Sequence, residues 1–569
     1  MSRSPNSAQT VGKQATKLGN AIRPKACPQN HHRKHLKLLQ ATFQASTKPK
    51  TFRFLNLWTS HPSYLATLKN TWDSVHTGRG MHGLYLKLQA TQKSLSSWSK
   101  NTYGNLFNNV KLAEEECTKA EEDYEGNPNS DTRSTSGKSK AHLLQCIQTE
   151  ESFWKQKANA KWITQGDANT SFFHAACRAR WRKNHIHSIL SSQGIQVTNE
   201  AEILEVGATY FQDLFSLQPT HNMELILQHI PHTITDPQNE FLCLLPNTEE
   251  IKNAVWHLDP NSSAGPDGFN GNFFRESWDI ISEDVTSAVQ EFFLGIIPPK
   301  AMRKSNTVLI PKKENPSSFS DYRPISLTNF SFKIITRILA SRLTTVLPDI
   351  ISIEQGGFVP GRDITHHILL AREFIHMLDR KTLGGNLTLK LDITKAFDNI
   401  SWSYIEKCLG HFGFSHIFIS LVMNSIKFSV VSILINGNSS KAFNPKRGVR
   451  QGDPLSPYIF IIAMEGLTRS LNHLHSLGCL KKYNTGRIQT VNHLTFADDV
   501  LIFTNGSLHN LKKLRSFLSG FEKATVLHLN LAKSQTISPK PSSNHARRQA
   551  NCLGMKVAPL PITYLGVPL

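Results

Sequence analysis

One stretch, Val491 to Phe503 (VNHLTFADDVLIF), limits what this chain can fold into. An apolar run leads into Asp498-Asp499, and a second, Val500 to Phe503, leads out. Short apolar runs on either side of a polar pair predict two buried strands joined by a tight turn. Two carboxylates at such a tip are costly unless positive charge faces them. A divalent cation meets that need, because hard cations take carboxylate oxygens. An ordinary Asp-Asp turn between surface strands would carry the same letters, so the neighbouring sequence has to decide.

Asn386 to Ile393 (NLTLKLDI) alternates apolar and polar residues as far as Asp392, which puts that acid at a strand end. Thr394 to Trp402 (TKAFDNISW) then turns into a helix. Arg447 to Pro457 (RGVRQGDPLSP) lies between the two acidic stretches and opens a helix from Tyr458 to Leu471. Its glycines let backbone approach a nucleotide closely, and Gln451 is suited to hydrogen-bond an incoming nucleotide or a template. One strand-end Asp with an Asp-Asp tip is the set that a two-metal nucleotidyl transfer needs. The ions then sit roughly 4 Å apart, one activating a primer 3′-hydroxyl and one holding the triphosphate. Asp392 and Asp498 can bridge both ions, with Asp499 more peripheral.

The residues before Asp392 are also dense in signals. A helix is expected over Glu249–Leu258, followed by a Gly/Pro loop at Asn261–Phe269. Met302–Pro311 is an extended run ending at Lys312-Lys313. Proline keeps Asp321–Leu327 extended. Helices are expected over Phe332–Val346 and Ile364–Leu378, with the loop Gln355–Arg362 (QGGFVPGR) between them.

Charge agrees with a polyanionic partner: Lys+Arg 64 against Asp+Glu 43 gives +21, an excess that nucleic acid most simply explains. A length of 569 residues predicts two or three domains, and 39% hydrophobic residues suffice for their cores. The eight cysteines show neither C-x-x-C nor zinc-knuckle spacing, so reduced thiols in an intracellular protein are expected. Met1–Asn20 lacks the apolar core of a signal peptide. No apolar run approaches the ~18 residues of a membrane span, so no membrane partner is expected.

Nine segments, in order, resemble the reverse transcriptase domain of plant LINE-type (non-LTR) retrotransposon proteins. They are AGPDGF (264–269), TVLIPKK (307–313), DYRPISL (321–327), QGGFVPGR (355–362), LKLDITKAFDNISW (389–402), RGVRQGDPLSP (447–457), LTFADDVLIF (494–503), LNLAKSQ (529–535) and YLGVPL (564–569). The resemblance implies an α+β right-hand polymerase with a fingers–palm core over 250–569. It implies RNA-directed DNA synthesis from dNTPs on an RNA template with a DNA primer, supported by two Mg²⁺ ions (or Mn²⁺). Asp392, Asp498 and Asp499 would be the catalytic, metal-binding acids. Phe397 would be the steric gate that excludes a 2′-hydroxyl. Lys312, Lys313 and Arg323 would contact the triphosphate, Gln451 the nucleotide, and Lys533 would be a candidate proton donor to pyrophosphate. Tyr564, Leu565 and Gly566 would form the primer grip. The family acts on chromosomal targets by target-primed synthesis, which implies a nuclear location. The chain ends at Leu569, inside the last motif, so the thumb is expected to be absent and activity reduced by truncation. The alternative function is a non-catalytic, basic nucleic-acid-binding relic of such an element. An RNA-dependent RNA polymerase is disfavoured by Phe397.

The first half carries weaker signals. Residues 1–50 read as a basic, disordered arm. Residues 51–75 contain a candidate buried strand (Phe52, Phe54, Leu55, Leu57, Trp58) and resemble the end of the family's endonuclease domain, as a remnant. Residues 76–245 form a helical basic linker, with a flexible break at Gly126–Lys140. Within it Trp162–His174 leads into Arg178, Arg180, Arg182 and Lys183. Cations interleaved with Phe172, Phe173 and Trp181 suit RNA backbone contact with base stacking; a solvated amphipathic helix would look alike.

Overall fold

The computed structural model describes residues 51–159, 170–486 and 491–569. The first 50 residues, most of the Trp162–His174 stretch and residues 487–490 lie outside the described set. Strands in chain order are β1 (Ile189–Leu190), β2 (Gln196–Val197), β3 (Lys304–Pro311), β4 (Tyr322–Thr328), β5 (Asn386–Leu391), β6 (Val430–Ile435), β7 (Asn438–Ser439), β8 (His493–Phe496), β9 (Asp499–Asn505), β10 (Gln535–Ile537), β11 (Lys556–Ala558), β12 (Thr563–Tyr564) and β13 (Val567–Pro568). Helices fill most of the remainder, so the architecture is mixed α and β.

Two sheets organise the second half. One has the order β11-β10-β5-β9-β8, antiparallel except for the parallel β10–β11 pair. The other has the order β4-β3-β6-β7, with β3 and β6 parallel. β5 and β9 are interior strands of the first sheet, with β10 beside β5. Their side chains are buried on both faces, Leu387, Leu389, Val500, Ile502 and Phe503 all being at most 1% exposed. Strands covered on both sides need apolar residues at nearly every position, which is what VLIF and NLTLKL supply.

The covering helices are long, and neither start carries a side-chain cap hydrogen bond. Phe330–Ile350 is buried along most of its length, from Phe330 to Ile350. Ser456–Ser476 begins with Pro at its first turn, where a missing N–H costs nothing. Arg342, on the first of these helices, does not reach out to a partner. It is 3% exposed, donates to both carboxylate oxygens of Glu250 at 2.8 Å and also binds the carbonyls of Leu242 and Leu244. Full pairing of this kind is what makes a buried guanidinium tolerable.

The N-terminal part of the described chain packs into the same core. Phe54, Trp58, Tyr64, Leu68 and Trp72 belong to one buried cluster with Phe269, Phe273, Ile338, Leu389 and Phe460. Each large side chain so buried contributes ~1.5–3 kcal/mol. Tyr64 Oη and Ser277 Oγ are hydrogen-bonded at 2.8 Å. Asp284 joins Trp72 Nε1 (2.8 Å) and Lys87 Nζ (2.7 Å) to the helix Trp278–Phe293. The expected strand at Phe52–Trp58 is not formed. Phe54 N donates to Gly268 O at 2.9 Å, but no ladder continues from it. Residues 56–60 instead make a 3₁₀ turn, and Gln156 takes the backbone groups a partner strand would have taken, its Nε2 donating to Phe54 O at 2.9 Å and its Oε1 accepting from Asn56 N at 2.8 Å.

The expected flexible break at Gly126–Lys140 is also corrected. The interruption is short, and Asn129 caps a helix running from Ser130 to Ala158. Its side chain accepts from Asp131 N and Thr132 N, and Thr132 Oγ1 accepts from Asn129 N. This capping box turns a Ser/Thr-rich segment into a helix start. The helix lies against Leu106–Gly126 as an antiparallel pair. No helix among the described residues is long and apolar enough to cross a membrane.

Candidate active site

The three aspartates meet because of strand register. β5 and β9 pair from Asn386↔Asn505 to Leu391↔Val500. Asp392 is the next residue after that ladder, and Asp499 is the first residue of β9. β8 and β9 close at Phe496↔Asp499, which leaves Ala497 and Asp498 as a two-residue turn. Ala497 takes a positive φ of 54°, as a primed hairpin turn requires at its first position.

That unfavourable backbone is held from outside the hairpin. Gln355 Oε1 accepts from Ala497 N (3.0 Å) and from Gly357 N (2.9 Å). Thr495 N donates to Glu354 O, and Gly356 N donates to Thr495 O, both at 2.8 Å. The QGGFVPGR loop thus runs alongside β8 in parallel, bridging at Gln355↔Thr495. Arg362 secures the loop by donating to the carbonyls of Ile351, Ser352 and Gln355. Sequence reasoning gave this loop no role beyond resemblance. A buried Gln next to paired glycines was its only local signal.

The acids repel one another. Burial raises the Asp498 pKa, Asp499 and Asp392 raise it further, and Arg323 offsets part of the rise. Asp498 keeps an open face to solvent, so it is desolvated on one side and accessible on the other. Asp499 is raised by burial and by Asp392, with Lys390 acting against them. Backbone bonds fix Asp392: its N–H donates to Ser534 Oγ at 3.1 Å and its carbonyl accepts from Asn530 N at 2.8 Å. The LNLAKSQ stretch therefore braces the strand end.

Among the described residues no group of three or more His, Cys, Asp or Glu side chains is placed to hold a metal ion. The aspartates instead offer a partial set of hard oxygen donors under mutual repulsion. That chemistry fits Mg²⁺ or Mn²⁺, since Mg²⁺ keeps waters and shares its sphere with one or two carboxylates and substrate phosphates.

The expected cations separate into two groups. Lys312 feels Arg323 and Lys533, which, after burial, push its pKa down, while Asp398 and Asp321 act the other way. Lys313 is paired with Asp321 at 3.0 Å. Lys312, Arg323 and Lys533 thus share one electrostatic neighbourhood, and Lys313 is engaged elsewhere.

Phe397 is half-buried and stacks on Phe460 with ring centroids 4.7 Å apart and planes 17° from parallel. Its carbonyl accepts from Val449 N at 2.7 Å, and Gly448 N donates to Ile400 O at 2.8 Å. Gly448 has φ 81°, and a Cβ there would fall 2.4 Å from Asp398 O, so the RQGDPLSP loop can seat against this turn only with glycine. Gln451 Nε2 donates to Asp398 Oδ1 at 3.1 Å, and Ser326 N donates to Gln451 O at 2.9 Å. Asp398, Arg447, Gln451, Ser326 and Trp402 line a small cleft open to solvent. Asp398 escaped the sequence analysis as a site residue. Burial pushes its pKa up to about 7, against the pull of Lys395 and Gln451.

Tyr564 closes β12 opposite Val567, and Leu565-Gly566, both at positive φ, form the turn of the β12–β13 hairpin. Lys390 Nζ donates to Thr563 O at 2.5 Å. Asp499 adds to the burial that raises the Tyr564 pKa, so this hairpin lies near the acids. Arg178, Arg180, Arg182 and Lys183 sit on the helix Thr170–Asn184. Arg180 Nη1 is engaged by Ala158 O at 2.6 Å. Trp181 is 54% exposed, but Phe173 is 2% exposed and packs with Trp154 and Ala158. Phe173 is therefore a core residue and not a stacking platform, because the helix turns it toward Ser130–Ala158.

Comparison with known proteins defines the class. Residues 310–569 match the family profile of the reverse transcriptase (RNA-dependent DNA polymerase). Over those residues the chain is similar to reverse transcriptases, and the relatives it matches are proteins of transposable elements. It is 26% identical over 375 residues to the transposon TX1 uncharacterized 149 kDa protein of Xenopus laevis, covering 65% of this chain and 28% of that one. It is 30% identical over 288 residues to the Pol polyprotein of the type-2 retrotransposable element R2DM of Drosophila melanogaster, covering 49% and 25%. A Pol polyprotein of the type-1 element R2 of Popillia japonica is 30% identical over 242 residues, covering 42% and 32%. The chain thus spans about a quarter to a third of the length of these relatives.

Proposed function

We propose that the chain is an RNA-directed DNA polymerase that extends a DNA primer on an RNA template from dNTPs. The observation that carries this reading is the register that brings Asp392, one residue past the β5–β9 ladder, beside Asp498 and Asp499. Asp392, Asp498 and Asp499 would hold two divalent ions, Mg²⁺ or Mn²⁺. When bound, these ions supply charge neutralisation at the triphosphate and a more acidic primer hydroxyl. Lys312 and Arg323, with Lys533 near them, would bind the triphosphate. Phe397, held rigid by Phe460, would pack under the sugar and exclude a 2′-hydroxyl. The β12–β13 turn would position the primer end. Exposed Trp181, Arg182 and Lys183, with half-buried Arg178, would contact RNA.

In fold terms, residues 250–569 would be a fingers–palm core, with β4-β3-β6-β7 on the fingers side and β11-β10-β5-β9-β8 as palm. The segment 51–75 packs on this core whatever its origin, and 76–245 would be a linker carrying the basic helix. Target-primed synthesis and a nuclear site of action are the family expectations. Primer extension on an RNA template tests the reading. Products should require dNTPs and a divalent cation; no extension on any RNA template, with the family's remaining domains supplied, would reject it.

A further inference from the structure

Lys395 lies in the turn between Asp392 and Phe397, and its backbone is strained. It takes φ 43° and ψ 53°, the left-handed region that side chains disfavour. Such a conformation persists only where the surroundings over-determine it. Asp398 N and Asn399 N donate to Lys395 O at 2.9 and 3.1 Å. These bonds begin the short helix that follows but do not hold the side chain.

The side chain is held from 185 positions earlier in the chain. Lys395 Nζ donates to Tyr210 Oη at 2.6 Å. It lies 4.5 Å from the centre of the same ring and 5.5 Å from that of Phe211. An ammonium withdrawn from water is stabilised by aromatic faces and an oxygen acceptor in this way. Tyr210 and Phe211 belong to the helix Glu200–Leu214, outside the residues that match reverse transcriptases, 310–569.

That helix is fixed on both sides of Tyr210. A Cβ on Gly207 would fall 2.6 Å from Ile435 Cδ1 and 2.9 Å from Phe319 Cζ, so glycine lets the helix rest directly on β6. At its end, Leu214 O accepts from Arg447 Nε and Phe215 O accepts from Lys446 N, both at 2.8 Å. Gly207 and Leu214 are each about one turn from Tyr210, which makes Tyr210 a firm support. Lys395 stands three residues after Asp392 and two before Phe397. A shift of its backbone therefore moves the acid and the ring together.

We propose that Tyr210 is a positioning residue of the nucleotide site. Through Lys395 it keeps the Asp392–Phe397 turn in left-handed backbone, so that Phe397 meets the sugar at the angle that rejects a 2′-hydroxyl. The inference rests on the polymerase reading above. It makes the helix Glu200–Leu214 part of sugar selection, through a residue that acts only by way of Lys395.

Single-nucleotide incorporation of dATP and ATP opposite a template uridine tests it, on a primed RNA template with Mg²⁺ and the family's remaining domains supplied. Tyr210→Leu should lower the preference for dATP about fivefold, because the turn relaxes. Tyr210→Phe, which keeps a ring against the ammonium, should lower it less. Glycine adopts the backbone angles of Lys395 without steric cost. Lys395→Gly should therefore keep most of the preference, and Tyr210→Leu added to it should remove no more. A Tyr210 that served only stability would lower the melting temperature and leave the dATP preference alone. Should Tyr210→Leu fail to fold, Tyr210→Met, checked by thermal melting, takes its place with the same expectations. An unchanged preference in the Leu or Met variant would overturn the inference, as would an equal fall with and without Lys395→Gly. An unaltered chain that extends no primer would reject the polymerase reading itself, a result distinct from either.

Discussion

The Gln355 side-chain oxygen accepts the backbone N–H of Ala497, 3.0 Å away, at the turn that carries Asp498. The same oxygen accepts from Gly357 N at 2.9 Å. Gln355→Leu would leave two donors buried without a partner, at ~1–3 kcal/mol each. Urea unfolding should show a loss of about 2–6 kcal/mol, and primer extension should fall at least tenfold because the turn no longer holds Asp498. Unchanged extension in a destabilised variant would show that the hairpin keeps its geometry without this clamp.

Phe397→Ala should admit ribonucleotides, with the ratio of dNTP to rNTP incorporation falling at least tenfold. The ring is held at a fixed angle by Phe460, so its removal opens space under the sugar rather than letting a neighbour refill it. Phe460→Leu should relax the same selectivity to a smaller degree, since the ring loses its stacking partner but stays in place. Single-nucleotide incorporation opposite each template base is the measurement.

These two residues show how far the sequence could be read. Asp392 before a turn and Asp498-Asp499 between apolar runs were legible, because strand-end acids and hairpin tips leave local patterns. The β5–β9 pairing follows from the same apolar runs. Gln355 and Asp398 were not legible as site residues, because their roles depend on partners 142 and 53 positions away. Phe52–Trp58 was misread as a strand for a related reason. Its aromatics pack on Phe269 and Phe273, contacts far along the chain that override the local pattern. The Ser/Thr run after Asn129 misled in the opposite direction, its helix being decided by one cap.

Asp267 gives a pH dependence. Burial raises its pKa to about 7, opposed by the hydrogen bond from Phe269 N and by Lys333. The folded state therefore holds this proton more tightly than the unfolded state, whose Asp titrates near 3.9. Stability contributed by the protonated acid is complete below about pH 4 and is lost as pH rises through about 7. Asp267→Asn should be more stable than the unaltered chain at pH 8, by about 4 kcal/mol, and nearly indistinguishable from it near pH 4. Urea unfolding at the two pH values decides. An equal difference at both would mean that the carboxyl does not titrate in this window.

Mg²⁺ should raise the thermal unfolding temperature at pH 8, because an ion between the aspartates relieves their repulsion. The rise should disappear in Asp392→Asn combined with Asp498→Asn. That variant should itself melt higher than the unaltered chain in the absence of metal. Persistence of the full Mg²⁺ effect in the variant would place the stabilising ion elsewhere.

The most direct measurement is primer extension on an RNA template with dNTPs and Mg²⁺, comparing the chain, with the family's remaining domains supplied, to its Asp498→Ala/Asp499→Ala form. The account predicts RNA-templated DNA product from the first and none above background from the second, with RNA binding equal in both. Product that survives loss of both aspartates would contradict it.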